Sequence, residues 1–202
     1  MSEKEYSKEI PTHQQSLALI NEMISKAKKS YVTKGTASIV WGTIIIICSL
    51  VTWVQIYFKF KIGFDIWLLT VVALISQIFF SIKESRNRNF VTYDREPISY
   101  SWMAFGISIF VLTLYSSYHN QRGETSSLFM MLYAIPTFIT GGITKFKPMI
   151  SGGIFCWMAA VVSIYTTIET DLLLMAACGL FAWLIPGIIL WGRYKKSVAA
   201  NV

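Results

Sequence analysis

Six stretches of this chain, each 17 to 23 residues long, contain no Asp, Glu, Lys, Arg or His. They run from Thr36 to Phe58, Ile66 to Ile82, Ile98 to Tyr118, Leu128 to Thr144, Met149 to Ile168 and Leu172 to Gly192. At 1.5 Å rise per residue, a helix of this length covers about 25–35 Å, the thickness of a bilayer's hydrocarbon core. Charges gather in short clusters between the stretches and not along one polar face. A soluble domain has no reason to segregate its charges in this way; a membrane-spanning chain must.

Composition agrees. Of 202 residues, 54% are hydrophobic and 14% charged, against roughly a quarter charged in soluble domains. β-barrel spans are a poor alternative, because they are about ten residues long with polar residues at alternate positions. The run Ile44 to Ile47 and the run Trp67 to Leu69 are apolar all round. The expected fold is an all-α polytopic transmembrane bundle of about six helices in three hairpins.

Orientation follows from the basic residues. With the N-terminus in the cytoplasm, fifteen of the eighteen Lys and Arg fall on cytoplasmic segments, and only Lys59, Lys61 and Arg122 fall outside. Such bias predicts both termini inside. Interfacial aromatics fit: Tyr31, Trp41, Tyr100, Trp102, Trp191 and Tyr194 fall near the inner boundary, and Trp53, Tyr57, Trp67, Tyr115, Tyr118 and Tyr165 near the outer one. Tyr133, Trp157 and Trp183 fall near mid-membrane instead. The first 35 residues lack the short apolar run and small-residue site of a cleavable signal.

Three regions are expected: a cytoplasmic arm over 1–35, the bundle over 36–192 and a basic cytoplasmic tail over 193–202. Within the arm, Thr12 and Gln15 fit a capping box. Leu17, Ile20, Ile24, Ala27 and Tyr31 then recur at helical spacing, which predicts an amphipathic helix. It would lie on the inner membrane surface, dock on its own bundle, bind a partner protein or self-associate. The formal charge of +7 points to the anionic lipids of the cytoplasmic leaflet and not to nucleic acid, because the cations flank apolar runs. The loop from Lys83 to Pro97 is the longest between spans. It would connect the spans, with Arg86 and Arg88 at lipid phosphates, or dock a partner.

No catalytic constellation can be assembled. The two histidines, His13 and His119, lie outside any haem-holding spacing, and neither a Walker glycine loop nor a GxSxG elbow occurs. Non-enzymatic function is expected, with no cofactor and no metal. The outer ends carry Asp65, His119, Glu124, Glu169 and Asp171, read as ordinary polar loop residues. Cys48, Cys156 and Cys178 fall inside apolar runs and read as small buried hydrophobes.

The prolines supply the one site signal. Pro136 and Pro186 fall within the fourth and sixth stretches, each nine residues before a lysine, each preceded three residues earlier by Tyr133 or Trp183. Interrupted helices at corresponding positions of repeats mark transport sites, since freed backbone groups coordinate solutes. The aligned glycines Gly42, Gly106 and Gly153 suggest an ancient hairpin triplication. A candidate solute site is therefore formed by Tyr133, Pro136, Thr140, Trp183 and Pro186. Against it stands the plainer reading: proline kinks, with small residues allowing close helix packing.

The stretches Phe64 to Thr70, Lys145 to Pro148 and Trp183 to Ile188 resemble a group of small bacterial membrane proteins with an N-terminal cytoplasmic helix followed by several spans. The similarity covers the chain from about Ser16 onward. It implies a bacterial cytoplasmic membrane and, since that group carries no assigned activity, no functional residue. Two readings of function stand: a non-enzymatic scaffold, sensor or regulatory module, or a small-solute carrier or transporter subunit with its site between the fourth and sixth helices.

Overall fold

The structure, a computed structural model, describes residues 35–60, 62–75, 77, 95–119 and 125–199. The expected arm helix between Thr12 and Tyr31, most of the 83–97 loop and the last part of the second stretch lie outside the described residues. Within them the fold is all-helical, with no strand. The helices are α1 (Thr36–Tyr57), α2 (Arg95–His119), α3 (Ser126–Ile143), α4 (Lys147–Ser163), α5 (Ile168–Cys178) and α6 (Ile185–Ala199). A short helical stretch covers 68–75. A π-helical turn, Gly179–Leu184, joins α5 to α6 into one rod.

Four helices are long and apolar enough to cross a membrane: Thr36–Tyr57, Glu96–Tyr118, Ser126–Ile143 and the rod Ile168–Lys196. Lys147–Ser163 is apolar but shorter. Their lengths follow from composition. Uninterrupted apolar sequence leaves no position where a backbone group would find water, so each group pairs within its own helix.

Side-chain and backbone approaches fix the neighbours. The Trp41 indole N–H donates to the Gln77 side-chain oxygen, and the Cys48 thiol to the Ile66 carbonyl at 3.5 Å. Residues 66–75 and 77 therefore run back along α1. Trp102 pairs with Thr140, and Ser116 with Thr125, so α2 and α3 are antiparallel. The Phe138–Trp157 ring contact at 5.2 Å, with Gly141 against Ile150, sets α4 antiparallel to α3, and the Phe155–Phe181 contact at 4.8 Å, with Arg193 over Phe146, sets it antiparallel to the rod.

Glycine lets the helices approach this closely. A Cβ built on Gly42 would stand 2.7 Å from the Leu184 backbone nitrogen, and one on Gly152 would stand 2.6 Å from the Phe181 carbonyl oxygen. Both meet the π-helical turn, whose i→i+5 bonding makes the rod broader there. Glycine on α1 and on α4 thus accommodates the broad turn on both flanks. Of the aligned glycines, Gly153 faces α3, where a Cβ would stand 3.0 Å from the Phe138 Cβ, and a Cβ on Gly106 meets nothing within 4 Å. The three aligned glycines have no common packing role.

The two prolines do not divide their helices. α3 is continuous through Pro136, and the rod is continuous through Pro186. A proline removes one hydrogen bond and presses its ring on the carbonyl four residues back. Before Pro186 the backbone widens instead, and the Ile185 N–H reaches the Leu180 carbonyl five residues back. The interruption expected from sequence is a π-helical bulge.

Candidate functional site

The centre of the bundle is aromatic. The Tyr133 and Trp183 rings lie 5.0 Å apart, and Phe105 approaches both, at 6.0 Å and 6.3 Å. Trp102 lies 5.6 Å from Phe105 and 6.2 Å from Trp183. Four rings from α2, α3 and the π-helical turn therefore form one connected cluster, in the edge-on and tilted geometries that ring quadrupoles favour.

A hydrogen-bond chain runs beneath it. The Trp183 indole N–H donates to the Thr137 hydroxyl at 2.8 Å, and that hydroxyl donates to the Tyr133 carbonyl at 2.8 Å. The Trp102 N–H donates to the Thr140 hydroxyl at 3.1 Å. Both indoles find their partner one helical turn apart on α3.

Of the five residues predicted from sequence, Tyr133, Pro136, Trp183 and Pro186 are buried and Thr140 is half-buried. The fold joins Tyr133 and Trp183 directly and brings Thr140 to Trp102. Thr137 lies outside those five, though it holds the central bond. Trp102, expected at the inner boundary, is half-buried against the core. The signal for it was present as an i, i+3 pair with Phe105, which puts both rings on one helix face.

The three cysteines are free and buried. Asp171 differs from expectation. It reads as a loop carboxylate, yet it is only 4% exposed. It sits in the first turn of α5 and accepts a hydrogen bond from the Thr166 hydroxyl at 2.7 Å. A carboxylate there also complements the positive end of the helix dipole. Glu169 and Asp65 are exposed, and Asp65 accepts from the Trp67 N–H. Among the described residues, no group of three His, Cys, Asp or Glu is placed to hold a metal ion.

Charge separates along the bundle. Between 125 and 199 the cations are Lys145, Lys147, Arg193, Lys195 and Lys196, and the acids are Glu169 and Asp171. The Arg193 guanidinium lies 5.0 Å over the Phe146 ring. That contact brings the α3–α4 turn and the end of α6 together, while both acids occupy the α4–α5 end. Among the described residues, the fold and site define an all-helical protein with four membrane-length apolar helices and an aromatic centre. No family model matches the chain, and no match to it was found among curated proteins or solved structures.

Proposed function

We propose that this chain is a polytopic integral membrane protein of about six passes, both termini cytoplasmic, acting as a non-enzymatic scaffold, sensor or regulatory module. The antiparallel pairings support the alternation of passes, and the grouped cations support the orientation. The resemblance to small bacterial proteins supports the bacterial cytoplasmic membrane as its place. Its anionic lipids are one partner; a protein bound by the arm over 1–35, or a second copy, is the other.

One observation carries this reading over transport. Tyr133 and Trp183, which would line a solute site, pack on each other, and the Trp183 donor is already satisfied by Thr137. The carrier is the second reading, favoured by the π-helical turn at Pro186, because such turns recur at functional sites.

Native mass spectrometry of the full chain from nanodiscs tests the choice. The module reading expects bound lipid and no stoichiometric small solute, with any protein partner lost on deleting 1–34. A solute bound one to one, and lost in Trp183→Phe, would replace it with the carrier.

A further inference from the structure

The turn between α3 and α4 is built in an unusual way. The Phe146 N–H bonds to the Gly141 carbonyl at 2.8 Å, and the Lys145 N–H to the Gly142 carbonyl at 3.2 Å. This pair of bonds is a Schellman closure, whose left-handed position is usually glycine. Here Lys145 occupies it, at φ 51°. Lys59 shares this conformation at φ 54°, so only the surroundings of Lys145 can give its side chain a function.

The surroundings supply one. Phe146 is buried at 4% exposure, and the lysines on either side of it, Lys145 and Lys147, are exposed. Arg193 lies over the Phe146 ring, which brings it to the turn that carries the two lysines. α4 begins at this point with no side-chain cap on its N-terminus, and the helix dipole adds positive potential there. Lys195 stands 3.8 Å over the Trp191 ring one turn before it. The described acid at this end is Glu96, exposed in the first turn of α2. The five cations between 145 and 196 therefore outnumber it.

We propose that Lys145, Lys147 and Arg193 bind the phosphate of an anionic glycerophospholipid. This deepens, and rests on, the reading of this end as the cytoplasmic face. Arginine and lysine both donate to phosphate oxygens, and arginine does so through a planar fork. The lipid is favoured over free phosphate by the exposed apolar side chains Ile154, Ile188 and Trp191 on α4 and α6. Acyl chains cover such a flank and a soluble anion does not. Trp191 beside Lys195 gives the pairing of indole and cation found at headgroup depth.

The test is native mass spectrometry of the delipidated full chain titrated with phosphatidylglycerol or with phosphatidylcholine of the same acyl chains. Phosphatidylglycerol is retained preferentially. Lys145→Gln with Lys147→Gln weakens its retention roughly fivefold per cation removed, and Arg193→Gln does the same, while Arg193→Lys restores most of it. Lys59→Gln, at the far end of α1, leaves retention unchanged. The lysine pair is exposed, so that variant tests the site even if Arg193→Gln unfolds. Equal retention of the two lipids would overturn the proposal, as would equal loss in Lys59→Gln or full displacement by inorganic phosphate. Orientation is read separately, by labelling Lys196→Cys in intact cells with an impermeant maleimide. Labelling without permeabilisation refutes the cytoplasmic placement, and lipid selectivity in detergent is measured independently of it.

Discussion

The indole N–H of Trp183 donates to the hydroxyl of Thr137 at 2.8 Å across 46 positions of chain, inside a bundle where both residues are buried. This bond joins α3 to the π-helical turn. It is charged to neither partner, so its value depends on which side is removed. In Thr137→Val the Trp183 N–H is left buried without an acceptor, a loss of about 1–3 kcal/mol. Thr137→Ser keeps the acceptor and loses less. Thermal unfolding in detergent compares the two, and a loss in Thr137→Ser as large as in Thr137→Val would show that the methyl group matters as much there as the hydroxyl.

The glycine contacts give a paired prediction. Gly42→Ala places a Cβ 2.7 Å from the Leu184 backbone nitrogen. Backbone cannot rotate away as a side chain can, so the helices must part, at a cost of about 1–3 kcal/mol. Gly106→Ala meets nothing within 4 Å and is expected to stay within about 0.5 kcal/mol of the parent. Unfolding temperatures of the two variants check this, and similar destabilisation in both would contradict the packing.

Asp171 closes the turn between α4 and α5 through Thr166. Asp171→Ala is expected to cost about 1.5–3 kcal/mol, the value of a hydrogen bond to a charged group. Asp171→Asn keeps an acceptor oxygen and costs less, while losing the dipole interaction, about 0.3–1 kcal/mol. Equal losses in the two variants would mean that the charge, and not the hydrogen bond, matters there.

Cys48, Cys156 and Cys178 are each at most 1% exposed. A maleimide small enough to enter detergent micelles is expected to leave all three unmodified in the folded protein and to label all three after unfolding in dodecyl sulfate. Intact-mass measurement counts the adducts. Rapid labelling of any one in the folded state would place that thiol outside the core.

The long apolar helices were legible because bilayer length and the absence of charge act locally, on each stretch alone. Tyr133 and Trp183 stood out for the same reason: two amphipathic rings at a depth where nothing polar is expected. Their meeting was not legible, since 50 residues separate them. Nor was the burial of Asp171, because a carboxylate after Thr166 reads the same in a solvated loop as in a closed turn. The prolines pointed to interrupted helices, and both helices run through them. Sequence alone shows that a proline removes a hydrogen bond, and only the packed rod shows whether the backbone breaks or widens.

Taken by itself, then, the string of residues determined that this protein is helical, apolar in membrane-length pieces and basic in the segments between them. The hydrophobic effect and backbone hydrogen bonding require nothing beyond neighbouring residues to dictate that much. The tertiary structure decided the rest: that Gly42 and Gly152 flank the π-helical turn, that Thr137 receives Trp183, and that Arg193 settles over Phe146. Each is a contact between helices far apart in sequence, fixed by which surfaces fit once every helix must share one interior.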